Sequence, residues 1–261
     1  MIDPRLTDAV LARIAAASPQ GLLVVGICGA QGSGKTTLVA HLAERLEAAG
    51  RRVATLSLDD LYLTKAERLQ LAEQVHSLFA TRGVPGTHDV ALGLETIAAL
   101  ERGEAAALPW FDKARDDRMP GADWPRAPQD TQILLLEGWC LGAVPQVDLS
   151  VPVNALEVEE DTDAVWRGHA NAALAGAYRD LFARIDLLVL LAAPGWEVVA
   201  RWREQQEAEL RAQGGPAVMS PTEVARFVQH YERLTRWILE EMPDRADLTV
   251  RLGPNREVLS L

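Results

Sequence analysis

The sequence predicts an α/β fold, a five-stranded parallel sheet flanked by helices, with a helical and loop insertion between the second and third strands and a helical lid. Three observations carry this reading. Short apolar runs of strand character alternate with segments of helical periodicity along the 261 residues. The first of these runs ends in a glycine-rich loop that passes directly into a helix. The second and third strands stand roughly 70 residues apart, too far for a bare crossover, so the gap must hold structure of its own.

Each element follows in order. Residues 4–17 place Leu6, Val10, Leu11 and Ile14 on one helical face. Residues 22–28 are continuously apolar and β-rich, the character of a parallel strand covered on both faces. Leu38, Leu42 and Leu46 recur at helical spacing in residues 38–49, and Gly50 is a C-cap candidate. Residues 52–58 (RVATLSL) read as the second strand, which stops at Asp59-Asp60. Inside the insertion, about residues 61–131, periodicity predicts helices over 65–78 and 90–102, and the Pro-, Asp- and Arg-rich stretch 103–132 reads as loop.

The third strand, residues 132–136 (QILLL), ends at Glu137-Gly138. A helix over 162–184 leads to the fourth strand, residues 186–192 (DLLVLLA). The charged helix 196–212 runs into Gly214-Gly215-Pro216, and about residues 196–220 make the expected lid. Ser220-Pro221-Thr222-Glu223 is a capping box with Pro at the first helical position, opening a helix to about Met242 that Pro243 stops. Residues 247–252 (DLTVRL) are the fifth strand. The whole chain, 1–261, is read as one domain, with the first strand central and ligands at the carboxyl ends of the strands.

Composition narrows the function. An apolar fraction of 48% and a charged fraction of 24% suit an ordinary globular core. A formal charge of −11 argues against a nucleic-acid partner, which would need a basic patch. Cys28 and Cys140 read as small buried residues, and His41, His76, His88, His169 and His230 have no metal-ligand spacing. No apolar stretch reaches membrane-spanning length and the first residues lack an apolar core, so the expectation is a cytoplasmic protein with no membrane partner.

The chemistry concentrates at strand ends. Residues 29–37 read GAQGSGKTT, and Gly29, Gly34, Lys35 and Thr36 meet the pattern G-x-x-x-x-G-K-[ST] in its strand–loop–helix context. The backbone N–H groups of Gly29, Ala30, Gln31, Gly32, Ser33, Gly34, Lys35, Thr36 and Thr37, with the helix N-terminus, can cradle phosphates. Lys35 would meet the β- and γ-phosphates of ATP, and the Thr36 hydroxyl would meet Mg²⁺. Phosphoryl transfer also needs a group to orient the attacking oxygen and a carboxylate for the cation. Asp59 or Asp60, at the tip of the second strand, can serve the first need, and Glu137 at the tip of the third the second. On the charged helix, Arg203, Glu207 and Arg211 fall at i, i+4 and i+8, an ion-pair ladder or a lid that closes Arg201, Arg203 or Arg211 over phosphate.

The segments GAQGSGKTT, LSLDDLYLT, RGVPGTHD, WFDKARDDR, LLLEGW, VNALE, FARIDLLVLLAAP and MSPTEVARFVQHYERLT together resemble the P-loop glycerate kinases, the plant-type D-glycerate 3-kinases and their microbial relatives. That group is similar in fold to uridine kinase, phosphoribulokinase and bacterial pantothenate kinase, and the resemblance runs over about residues 22–252. It implies a P-loop NTPase fold, ATP as donor, Mg²⁺, and a small hydroxylated acceptor, with glycerate favoured. It also implies Asp59 as catalytic base, Glu137 as the acidic residue after the third strand, and a lid over residues 196–212; Leu61 departs from the Phe usual at its position. An acceptor carboxylate needs a cation or a helix N-terminus. Arg82, His88, Lys113, Arg115 and Arg118 are the candidates, beside Asp59, Asp60 and Tyr62. The alternatives are a kinase for a nucleoside or pantothenate-like alcohol, and an ATP-binding regulatory protein without an acceptor. Oligomeric state is not legible.

Overall fold

The structure is a computed structural model that describes residues 3–17, 21–212 and 219–261, leaving aside the side chains of 209–212. Among the described residues the main sheet has six strands. They are β1 (Leu23–Gly29), β2 (Val53–Ser57), β5 (Ile133–Gly138), β6 (Leu187–Ala192), β7 (Leu248–Leu252) and β8 (Val258–Ser260), in the order β2-β5-β1-β6-β7-β8. The first five run parallel, as the sequence predicts. β8 is an unpredicted sixth strand, antiparallel to β7 at the edge. β1 is buried along its whole length between β5 and β6, which accounts for its unbroken apolar character.

Helices cover the sheet because each carries an apolar stripe. In α1 (Pro4–Ala16), capped by the Asp3 side chain, Leu6, Val10 and Ile14 are buried and Leu11 is only half-buried. α1 packs on β6 and on α2 (Lys35–Ala48), and α2 lies across β1, β2 and β5 through Leu38, Val39, Leu42 and Leu46. Elsewhere, α4 (Val90–Glu101) packs against α7 (Ala177–Phe182), and α8 (Trp196–Ala212) against α9 (Pro221–Glu241). The predicted capping box of α9 is present in full, with Ser220 and Glu223 each accepting from the other's backbone N–H. The Gly214-Gly215-Pro216 linker lies outside the described residues.

Four boundaries differ from the sequence reading. The helix expected over 65–78 ends as α3 (Lys65–Gln74), followed by a 3-10 turn, Ser77–Ala80, that the His76 ring caps through Nδ1. The helix expected over 162–184 is two, α6 (Val165–Ala175) and α7, because Gly176 leaves helical backbone geometry (φ −102°, ψ −118°). α5 (Ala155–Glu160) was not expected and is opened by Asn154, whose side chain accepts from Glu157 N. The stretch read as loop contains the small hairpin β3 (Phe111–Asp112) and β4 (Asp117–Arg118). That hairpin proves central to the site.

Candidate active site

β1 delivers the glycine-rich loop to the carboxyl edge of the sheet, and α2 leaves it at Lys35. Gly34, the N-cap, is left-handed (φ +92°) and provides no side-chain cap, so the first amides of α2 remain available to an anion. Lys35 is buried and donates to Ala30 O at 3.2 Å, which holds its ammonium within the loop. Ser33 Oγ is buried and has no hydrogen-bond partner, a polar orphan inside the cradle. The register pairs Glu137 with Ile27 of β1 and with Ser57 of β2, so the carboxylate arrives level with the loop.

Glu137 Oε1 accepts from Thr36 Oγ1 at 3.0 Å and from Ser57 Oγ at 3.2 Å. A carboxylate buried at the end of an apolar strand is costly unless donors or a cation receive it, and two hydroxyls do so here. One carboxylate with one or two hydroxyls is a hard oxygen set that suits Mg²⁺. No group of three or more His, Cys, Asp or Glu side chains among the described residues could hold a metal. A cation that keeps its waters and shares phosphate oxygens does not require one.

Beyond β2 the chain makes a 3-10 turn, Leu58–Leu61, whose N-cap Ser57 accepts from Asp59 N. Asp59 then receives Tyr62 OH on Oδ1 at 2.7 Å and Lys113 Nζ on Oδ2 at 2.6 Å. Burial pushes its pKa up, but the Lys113 ammonium and the two hydrogen bonds outweigh burial and hold it at about 2. Asp60 points differently: its Oδ1 accepts from Phe111 N at 3.2 Å, fastening the hairpin to the turn. Burial, opposed by that backbone N–H and reinforced by the Asp59 charge, raises Asp60 to about 6. The pair therefore divides, one carboxylate facing a cation and one holding a hairpin.

The loop RGVPGTHD lies alongside. Tyr62 and His88 form an antiparallel bridge, and their rings stack with centroids 4.7 Å apart. Tyr178 OH accepts from Gly86 N at 2.9 Å and lies 2.6 Å from His88 Nδ1. Burial lowers His88 to about 4, so it stands neutral at physiological pH and is not the cation the sequence suggested. Gly83 is left-handed (φ +132°), and any Cβ there would collide with the Tyr231 hydroxyl, which donates to Arg82 O.

Of the cations proposed for the acceptor, Lys113 alone contacts Asp59 among the described residues. Arg82 and the fully buried Arg68 both pair with Asp116, and both guanidinium groups stand 5.6 Å from the Phe111 ring centre. Arg118 joins Asp89 at 3.1 Å and Tyr62 O at 2.9 Å. Arg115 is exposed and pairs with Asp112. On α8, Arg203 pairs with Glu207 at 2.6 Å and lies over Phe227, Arg201 is exposed, and the Arg211 side chain lies outside the described residues.

Sequence reasoning missed the residues that seat α8 on the phosphate loop. Trp202, fully buried, packs so close to Gly32 that an added Cβ would lie 2.8 Å from the Trp202 Cβ. Arg256, itself left-handed (φ +66°), covers Trp202 and donates through Nε to Gly32 O at 2.6 Å. Nothing in a lone Arg after the last parallel strand marks it. Asp89 was also missed, although an Asp ahead of an apolar helical run is a legible N-cap, and it does cap α4 through Leu92 N.

The family model described as Phosphoribulokinase / Uridine kinase family matches residues 24–158, which span the loop, Asp59, the hairpin and Glu137. The chain belongs to that family. It is 36% identical over 226 residues to the uncharacterized kinase mug58 of Schizosaccharomyces pombe, covering 82% of this chain and 80% of that protein. It is 33% identical over 220 residues to the chloroplastic D-glycerate 3-kinase of Arabidopsis thaliana, covering 80% of this chain and 46% of that protein, so the match spans under half of the plant enzyme. The solved D-glycerate 3-kinase of Cryptococcus neoformans superposes with a TM-score of 0.75 at 25% identity, over 97% of this chain and 95% of that one. Membership fixes a P-loop kinase fold and the coarse activity, that of an ATP-dependent phosphotransferase. No described helix is long and apolar enough to cross a membrane.

Proposed function

We propose that this kinase phosphorylates the 3-hydroxyl of D-glycerate, giving 3-phospho-D-glycerate and ADP. The observation that carries the proposal is the Lys113 ammonium on Asp59: a cation stands beside the candidate base, where an acceptor's carboxylate would lie next to its reacting hydroxyl. The 33% identity to a D-glycerate 3-kinase supports the same acceptor. Asp59 accepts the hydroxyl proton as the new oxygen–phosphorus bond forms, and the γ-phosphorus to bridging-oxygen bond breaks with its electron pair leaving on ADP. Lys35 and the loop amides hold the β- and γ-phosphates. Thr36 and Glu137 would hold Mg²⁺, which neutralises phosphate charge when bound. Helix 196–212 would act as a lid, its seat on Gly32 made by Trp202 and by Arg256 from beyond β7 rather than by an arginine of the helix itself.

ADP release measured over a panel of hydroxy acids, glycerol and nucleosides tests the reading. D-glycerate should exceed glycerol by about 30- to several-thousand-fold in kcat/KM, the factor for losing one desolvated charge contact. Equal use of the two, or turnover of a nucleoside alone, would leave only the kinase class.

A further inference from the structure

Resting on that reading, we infer that Lys113 is a removable counter-charge on Asp59: an acceptor carrying an anion beside its reacting hydroxyl draws the ammonium off the carboxylate as it binds, and a neutral alcohol does not. The site would thereby couple recognition of the acceptor's charge to activation of the base, so that selectivity appears in kcat as well as in KM.

Four observations support the coupling. Both oxygens of Asp59 are engaged at rest, Oδ1 by Tyr62 and Oδ2 by Lys113. The two partners differ in freedom. Tyr62 is buried and clamped between His88 and Phe111, whereas the Lys113 side chain is 60% exposed at the turn of the β3–β4 hairpin. That turn is itself fixed, because Asp112 Oδ1 accepts from Ala114 N and Arg115 N, Asp60 holds Phe111 N, and Asp116 ties the hairpin to Arg68 and Arg82. The ammonium therefore swings on its own four-carbon stem while its root stays in place. Finally, its second and third donors are free of any described partner, so an incoming anion competes with Asp59 for a group already poised to receive it.

The other groups around Asp59 cannot play this part. His88 is neutral and enclosed, Asp60 and Glu137 carry the wrong sign, and Arg82 and Arg118 are held by Asp116 and Asp89. A carboxylate whose proton affinity is suppressed by an adjacent ammonium is a poor base for an alcohol, and one relieved of it is better.

The test is a comparison of Lys113→Met with the wild-type kinase on D-glycerate and on glycerol. Losing the anion's partner should lower kcat/KM for D-glycerate by about thirtyfold or more. The same change should raise kcat for glycerol by about three- to tenfold, because Asp59 is no longer restrained. A lysine that only binds the acceptor, or only supports the hairpin, would leave glycerol turnover unchanged or lower it, and either result overturns the inference. An independent readout needs no turnover. In carbon-13 spectra the Asp59 carboxyl should titrate at higher pH in Lys113→Met, and in the wild type when D-glycerate, but not glycerol, is saturating. An unmoved midpoint in either case also overturns it. If D-glycerate is not phosphorylated at all, the glycerate reading falls separately. The inference then stands only if the acceptor found is anionic and shows the same contrast with its uncharged analogue, and falls if that acceptor is neutral.

Discussion

Burial acts on Asp59 and Asp60 alike, and their partners separate them. Asp59 faces Lys113 and is held at about 2, whereas Asp60 meets a backbone N–H and is raised to about 6. Asn at position 59 keeps the shape and the contact with Tyr62 but cannot take a proton. Asp59→Asn should therefore lose on the order of 10²- to 10⁴-fold in kcat with ATP affinity little changed. Asp60→Asn retains an oxygen for Phe111 N and resembles the protonated carboxyl that burial already favours, so its turnover should stay within about tenfold of wild type. Steady-state kinetics and ATP titration of both variants decide the matter. A greater loss from Asp60→Asn would transfer the role of base to that residue.

At the scale of elements, the seat between α8 and the phosphate loop is the most constrained contact of the site. Gly32 is left-handed (φ +76°) and faces Trp202 at a separation that admits no Cβ. Gly32→Ala must absorb both, a backbone penalty of about 1–3 kcal/mol and displacement of α8 from the loop. We expect KM for ATP to rise by at least about tenfold and stability to fall by a similar 1–3 kcal/mol in urea unfolding. Combining it with Trp202→Gly, which removes the Cβ that the new methyl would meet, should recover part of the ATP affinity. Additive losses in that double-mutant cycle would show that the contact is not what restrains position 32.

The same elements show what was readable in advance. β1, β5 and β6 are covered on both faces, so their residues form apolar runs that need no context to interpret. The carboxylates at the tips of β2 and β5 were legible because the loop beside them had already fixed the rim on which chemistry occurs. Gly176 was not, since one glycine in an Ala-rich helical run is ordinary until its backbone is seen. The strands of the β3–β4 hairpin have two residues each, below any detectable alternation, and the Lys113–Asp59 pair joins positions 54 apart. Sequence placed five cationic candidates near the acceptor, and only tertiary structure separates Lys113 from Arg115, two residues along the chain.

For the whole molecule, buried histidines set the acid side of the stability profile. Burial lowers both His88 and His230 to about 4, below the usual 6.5 of an unfolded imidazole. The unfolded chain therefore binds more protons between pH 6.5 and 4, and stability falls as pH falls through that window. Each histidine contributes on the order of 3 kcal/mol over the full window. Asp60 acts in the opposite sense, since its folded pKa of about 6 makes the native state the better proton acceptor between pH 6 and 3.8. With two histidines against one aspartate, the melting temperature should fall from pH 6.5 to 4.5. His230 packs on Trp166 and Phe227 and is not among Asp59's hydrogen-bond partners, so His230→Gln should flatten that slope without altering kinetics. A melting temperature independent of pH across this range would mean that the two imidazoles are not held neutral by the fold.

The strand order has a consequence for biosynthesis. β1 leaves the ribosome before either of its sheet neighbours, which are β5, ending at Gly138, and β6, ending at Ala192. At about 5–20 residues per second, the nascent chain carries an apolar strand with both edges unpaired for roughly 5–20 s before β5 emerges, and for longer before β6 does. During that interval the glycine-rich loop has no rim to sit on, so ATP cannot rescue a chain that has begun to pair wrongly. Protection must come from speed, from shielding by α1 and α2, or from a chaperone that holds extended apolar segments.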